Sequence, residues 1–293
     1  MLRGKEMSCK IAIILINYNG VNDTIDCIKS LMESTILGTI IVVDNASTND
    51  DVKKLKDEFT DVVIIESKKN LGFSGGNNIG IRYAIEHGFE IFILLNNDTV
   101  VASDMIQMLR MSLTDNNIVV PAMYYFSEHD KLWYGGGEIN NRTGNAVHKC
   151  YNIERECTYA TGCCIAITKD IIERIGYFDE RYFMYCEDLE YSLRLHKNNV
   201  EILYQPAAKL WHKVGMSSGG GESAFSIYYV TRNRLNFIRE NRDYFKYSAY
   251  LYAYCSRLIR MIQFMLKGKI EWRAFRSGMR DHKKNIWGQS FKQ

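Results

Sequence analysis

Hydrophobic and polar positions alternate along the first third of this chain in blocks, not residue by residue. An apolar run, Ile11 to Ile16, closes in Asn17-Tyr18-Asn19-Gly20, and a helical stretch follows, roughly Thr24 to Glu33. A second run, Thr39 to Val43, ends in Asp44-Asn45-Ala46-Ser47, and a charged helical stretch reaches about Phe59. A third strand is predicted at Val62 to Ile65, a Gly-rich loop at Asn70 to Asn78, a helix from Ile79 to His87, and a fourth strand, Phe92 to Leu95, leading into Asn96-Asn97-Asp98. Strands without polar interruption are buried on both faces, and their alternation with helices predicts βαβ units around a parallel sheet. In such sheets ligands bind at the carboxyl ends of the strands, where Asn17, Asp44 and Asp98 fall.

Past about Ala224 the period becomes helical. Tyr247, Tyr250, Leu251, Tyr254, Leu258, Met261, Ile262 and Met265 share one face at three-and-four spacing, with Ser256, Arg257, Arg260, Gln263 and Lys267 on another. The arginines exclude a spanning helix. The apolar face is open to three readings: packing on the preceding domain, a homodimer seam, or peripheral contact with a membrane surface. The predicted organisation is an α/β domain over residues 1–223 and a helical extension over 224–293.

A lone carboxylate beside two amides suits a hard divalent cation bridging two phosphates, although Asn-Asn-Asp is also ordinary turn chemistry. Asn17 and Asp44 equally suit turns or helix caps. Glu187-Asp188-Leu189-Glu190 reads on spacing alone as an acidic first helical turn. His212, after Leu210-Trp211, reads as a satisfied histidine or a ligand. The Gly- and Ser-rich segment Val214 to Glu222 is a closing loop or a connector.

The order of these motifs resembles family 2 glycosyltransferases of the GT-A fold, the rhamnosyltransferase-like members especially. Asn17-Tyr18-Asn19, Val43 to Ser47, Asn70 to Asn77 and Asn96-Asn97-Asp98 carry the likeness in the first half. Gly162-Cys163-Cys164, Ile175 to Glu190 and Leu210-Trp211-His212 extend it, so that it covers about Lys10 to Arg234. The acidic motif is Asn-Asn-Asp in place of Asp-x-Asp, which leaves Asp98 as its one carboxylate. The resemblance implies a metal-dependent inverting transferase that uses a UDP-sugar or dTDP-sugar and divalent Mn or Mg. It implies a catalytic base at Asp188, acceptor positioning by Glu187 and Glu190, nucleotide binding by Asn17, Asp44, Asn70, Gly72, Gly75 and Asn97, and metal binding by Asp98 and His212. Arg232 and Arg234 could neutralise the leaving diphosphate or occupy a solvated face. The implied acceptor is a glycan or a lipid-linked sugar at the cell surface.

Composition changes this picture little. A net charge of +3 gives no argument for nucleic acid. The eight cysteines include no C-x-x-C pair and follow no signal peptide, so they are expected to be reduced thiols of a cytoplasmic protein, placed if anywhere at the inner membrane face. The Gly72 to Gly76 stretch follows the third strand and no G-x-G-x-x-G follows the first, which counts against a dinucleotide fold. A nucleotidyltransferase would need a basic Gly-rich loop after the first strand. A catalytically silent nucleotide-sugar or glycan binding module is the other class, and the joint presence of Asp98, Asp188 and His212 argues for the enzyme.

Overall fold

The computed structural model describes residues 10–214 and 223–291. The expected closing loop falls almost wholly on residues 215–222, outside the described residues. The alternating half consists of β1 (Ile11–Asn17), α1 (Val21–Met32), β2 (Thr39–Asp44), α2 (Asp51–Glu58), β3 (Val63–Glu66), α3 (Gly72–Glu86) and β4 (Ile91–Asn96). There follow β5 (Thr99–Val101), α4 (Met105–Ser112), β6 (Asn117–Tyr125), β7 (Leu132–Tyr134), β8 (Gly137–Asn140), β9 (Asn145–His148), β10 (Arg155–Cys157) and β11 (Cys164–Thr168). The chain continues through α5 (Lys169–Ile175), α6 (Glu187–Lys197), β12 (Glu201–His212), α7 (Ala224–Glu240), α8 (Tyr247–Lys267) and α9 (Lys269–Lys283).

Among the described residues the main sheet runs β3-β2-β1-β4-β11-β6-β12-β10, with β5 added to β12 and β7 to β6. Its first four strands are parallel, and β11 runs antiparallel between β4 and β6. Registers Asn17↔Asp44 and Ile16↔Asn96 bring the polar ends of β1, β2 and β4 level with one another. The apolar runs of these strands are buried almost throughout, as a sheet covered on both faces requires.

The Gly-rich loop predicted at Asn70 to Asn78 is instead the start of α3, which begins at Gly72. Glycine and asparagine are poor helix formers, and tertiary contact overrides that preference here. A Cβ on Gly80 would lie 2.4 Å from Ile14 Cγ2, and one on Gly76 would lie 3.1 Å from Ile16 Cδ1, so glycine lets the helix lie flat on β1. Gly72 has φ +70°, and a Cβ there would fall 1.8 Å from the Phe183 carbonyl oxygen.

The carboxyl-terminal helices form as the period predicts, with small residues on their inner side. The buried side of α8 is formed by Ala249, Ala253, Arg257 and Phe264, whose small alanines permit close approach. The apolar face left open to three readings is largely exposed: Leu258 is 60% and Ile262 56% accessible. Phe237 and Ile238 of α7 join the core of the sheet, while Tyr229, Phe264 and Phe275 form a second cluster with Phe183. The extension therefore shares its packing with the catalytic half. Among the described residues no helix is long and apolar enough to cross a membrane.

Candidate active site

The level strand ends form one hydrogen-bonded array. The Asn17 amide donates to Asp44 Oδ1 at 2.9 Å and to Asp51 Oδ2 at 3.0 Å, and its oxygen accepts from the Thr24 hydroxyl at 2.8 Å. Asn97 Nδ2 donates to Thr24 Oγ1 at 2.8 Å, which ties the end of β4 to α1 and β1. Asp44 also accepts from the Ser47 amide at 3.0 Å and the Ser47 hydroxyl at 2.6 Å. The carboxylate is thus held in one orientation beside a cleft of about 660 Å³ lined by Asp44, Ser47, Lys53 and Ser67. An anchored acceptor at a strand end suits the ring N–H of a pyrimidine. Asn45 receives the Leu71 amide at 2.9 Å and donates to Asn70 Oδ1 and the Gly72 carbonyl, fixing the entry to α3. Asn70 Oδ1 in turn accepts from the Gly72 amide at 2.8 Å. Gly72 and Gly75 face Phe183 and Leu71.

Asp98 and His212, which lie 114 positions apart in the sequence, meet because β5 pairs with the end of β12 in the register Thr99↔His212. His212 Nε2 lies 3.2 Å from Asp98 Oδ1, both side chains being nearly buried. His212 Nδ1 has no hydrogen-bond partner among the described residues. Lys213 is turned away to Asp23 and Asp26 of α1, at 2.7 Å each. Among the described residues no three metal-ligating side chains cluster. An oxygen and an imidazole nitrogen converging in a buried corner fit a divalent cation that takes its remaining ligands from phosphate and water, as Mg and Mn commonly do.

Asp188 occupies the first turn of α6. Its Oδ2 accepts from the Tyr159 hydroxyl at 2.5 Å and the Gly162 amide at 3.3 Å, and its Oδ1 from the Leu189 amide at 2.8 Å. Burial raises its pKa, and the Tyr159, Gly162 and Leu189 donors hold the rise back. Burial also pushes Glu187 well above the ordinary carboxylate range, with the Asp188 charge adding to it. Glu187 Oε2 has no hydrogen-bond partner among the described residues. Burial therefore favours the neutral form of Glu187, while the three donors to Asp188 favour its charged form against the same burial. Both line a cavity of about 240 Å³ together with Tyr159, Tyr185 and Arg234.

The Gly162–Cys163 step joins the two centres, because Gly162 donates to Asp188 while the Cys163 carbonyl accepts the Asn96 amide at 2.8 Å. An aromatic path joins them as well. The Trp133 ring lies 4.6 Å from His212 and 4.8 Å from His148, and His148 stacks on Tyr159.

Two predicted residues lie elsewhere. Glu190, expected to position an acceptor, is held in a two-point pair by Arg194 at 2.8 and 3.0 Å, outside the residues lining the cavity. Arg232 is fully buried against Tyr228 and Tyr229, donating to the Gly288 carbonyl at 2.8 Å, so it cannot meet a diphosphate. Arg234 does reach the cavity. Sequence reasoning missed Tyr159, whose sole signal was its place three residues before Gly162, and the buried bracing pair Thr24 and Asp51.

The family model described as "Glycosyl transferase family 2" matches residues 12–176. The chain belongs to that family. Among relatives of this family 2 glycosyltransferase, the low-salt glycan biosynthesis hexosyltransferase Agl10 of Haloferax volcanii is 28% identical over 246 residues, covering 76% of this chain and 74% of that one. The dTDP-rhamnosyl transferase RfbF of Shigella flexneri is 27% identical over 248 residues, covering 80% and 82%. A structure of GalNAc-T7 with UDP, GalNAc and Mn2+ superposes with a TM-score of 0.66 at 16% identity; the alignment takes in 80% of this chain and 48% of that longer one. The fold is GT-A, and the chain is a glycosyltransferase.

Proposed function

We propose that this glycosyltransferase moves a hexosyl unit, rhamnosyl in the first instance, from a dTDP- or UDP-linked donor to a hydroxyl of a glycan or lipid-linked acceptor, with inversion at the anomeric carbon. The observation that carries the reading is Asp188, a buried carboxylate oriented by three donors in the wall of a cavity that Glu187 also lines. On this reading the acceptor hydroxyl gives its proton to Asp188 as its oxygen attacks the anomeric carbon, and the bond to the diphosphate breaks with its electron pair on the leaving oxygen. One carboxylate accounts for the chemistry, and no covalent intermediate is invoked. Asp98 and His212 would hold a divalent cation, Mn or Mg, whose charge offsets that of the departing diphosphate. Asp44 would accept from the pyrimidine ring N–H. Arg234 would face the acceptor side of the cavity. Support for the sugar comes from RfbF and Agl10, named as a dTDP-rhamnosyl transferase and a hexosyltransferase.

The test is a donor screen followed by analysis of the product. UDP or dTDP with Mn or Mg should stabilise the protein, by about 2.7 kcal/mol at a hundred times the dissociation constant, and GDP or ADP much less. Proton NMR of the transferred sugar should show the anomeric configuration opposite to the donor's. Equal stabilisation by GDP and UDP would remove the pyrimidine assignment, and a retained configuration would remove the single displacement.

A further inference from the structure

The 70 residues from Ala224 onward carry fifteen Lys and Arg against four Asp and Glu, a net charge of +11. The preceding 223 residues carry 22 against 30, a net charge of −8. Charge divided this sharply along a chain marks a segment with an anionic partner. The basic residues are also ordered. Lys269, Arg273, Arg276, Arg280 and Lys283 recur at three-and-four spacing along α9, and all are exposed.

Beside them α8 presents a second stripe. Tyr247, Leu251, Tyr254, Leu258, Ile262 and Met265 fall on one face of the helix, each more than half exposed, and no charged residue interrupts that face. The two helices are joined through Gly268 and bury their other sides, Phe264 meeting Phe275 with Ala274 alongside. Intramolecular packing is therefore already satisfied by the inner faces, and the apolar stripe is left outward. An exposed apolar surface of this extent marks an interaction site.

We propose that the α8–α9 pair is a docking surface for an anionic lipid bilayer, with the apolar stripe of α8 seated among the acyl-chain boundary and the basic stripe of α9 on the headgroups. Charge selects this occupant. Tyrosine and aliphatic side chains suit the interface, and each Lys or Arg near an anionic leaflet strengthens the attachment. A second copy of the chain, apolar stripe to apolar stripe, would bring two segments of net +11 together.

The placement also bears on the acceptor. The Arg234 guanidinium, which lines the Glu187–Asp188 cavity, sits 5.6 Å over the ring of Tyr252, an exposed residue of α8. Docking would thus bring the acceptor cavity next to the bilayer, where a lipid-carried acceptor would arrive. This second statement rests on the transferase reading; the docking itself does not.

The full chain is to be sedimented with phosphatidylcholine vesicles, with and without phosphatidylglycerol, at low and high salt. Binding to the anionic vesicles should exceed binding to the neutral ones by at least about tenfold and weaken as salt screens the headgroups. A Leu258→Glu/Ile262→Glu variant should lose binding, and an Arg273→Glu/Arg276→Glu variant should lose the preference for anionic lipid. Stabilisation by dTDP or UDP, measured on the same samples, certifies the fold of each variant and reports the donor site separately. If the wild type ignores both kinds of vesicle, docking is overturned whatever the nucleotide result. A wild-type dimer that Leu258→Glu/Ile262→Glu converts to monomer, without any vesicle binding, would assign the stripe to a second copy and overturn it equally.

Discussion

Replacing Asp188 by Asn separates the chemistry of this carboxylate from its structural duties, because the side chain keeps its shape and loses its ability to take a proton at neutral pH. If Asp188 is the base, transfer should fall by about 10²-fold to 10⁴-fold. That corresponds to about 3 to 5 kcal/mol on the barrier. The structural cost is smaller and readable from the contacts. An amide can still accept from Leu189 on one side, but its NH2 then faces the Tyr159 hydroxyl and the Gly162 amide. Tyr159 can turn its hydroxyl to accept, whereas the Gly162 N–H is left facing a donor, at a cost of about 1 to 3 kcal/mol in stability. The assay is single-turnover transfer with saturating donor, accompanied by nucleotide binding and thermal melting of the same preparation. Donor affinity should survive. The pH profile gives an independent check. Burial raises the Asp188 pKa, so kcat/KM should fall as pH drops through that raised value and the carboxylate takes up its proton. Tyr159→Phe removes the largest contribution opposing the rise, so the acidic limb should move to higher pH. A near wild-type rate for Asp188→Asn, or an acidic limb that moves to lower pH in Tyr159→Phe, would refute the assignment.

Three further outcomes are expected. Asp98→Ala should abolish the Mn- or Mg-dependent part of nucleotide binding by calorimetry while metal-free binding persists, because this carboxylate is the one that meets His212. Glu187 has a folded pKa above its ordinary value of 4.5, so its neutral form is favoured by the fold and stability is lost as pH rises through the folded value. Glu187→Gln should therefore gain on the wild type in urea denaturation as pH is raised, and a constant difference between the two would count against the buried neutral acid. Gly72→Ala, at φ +70° with its Cβ driven into the Phe183 carbonyl, should lower stability by about 1 to 3 kcal/mol from backbone strain alone, before any cost of moving the 182–183 chain.

The parallel half of the sheet was legible in the sequence because its strands are apolar without interruption, and an element buried on both faces leaves no second arrangement for such a run. The pairing of Asp98 with His212 came from motif order, since no local pattern shows that β5 lies beside the end of β12. Where small residues set the geometry, the pattern misled. The GFSGGNN stretch has the composition of a loop, and it is helical because the missing Cβ atoms of Gly72 and Gly76, with that of Gly80 one turn on, let α3 approach Phe183, Ile16 and Ile14. The same reason hid the inner face of α8: Ala249 and Ala253 pack closely, and the larger side chains that dominate the hydrophobic pattern point outward. Glu190 was within reach of sequence reasoning, because Arg194 stands four positions on, the spacing at which helical ion pairs form. Tyr159 was not, since its contact with Asp188 spans 29 positions and depends on the way β11 enters the sheet.

The change of strand direction at β11 divides the labour of the proposed reaction. Everything assigned to the donor's nucleotide, from Asn17 and Asp44 to Asn97, hangs on the ends of parallel strands and their crossover helices. The cavity proposed for the acceptor draws on the β8–β9 turn, the approach to β11, the start of α6 and, through Arg234, α7. The Gly162–Cys163 step is a rigid link between the two halves, bonded to Asn96 on one side and to Asp188 on the other. On this reading a change of acceptor can be accommodated around Gly144, Tyr185 and Arg234 without disturbing the nucleotide array, whereas a shift at Gly162 would move the proposed base and the end of β4 together. The crowding there leaves little room for such a shift, as a Cβ on Gly162 would stand 2.8 Å from Phe73 Cζ. A substitution at Gly162 should consequently cost donor binding and transfer at once, while one at Arg234 should act on the acceptor alone.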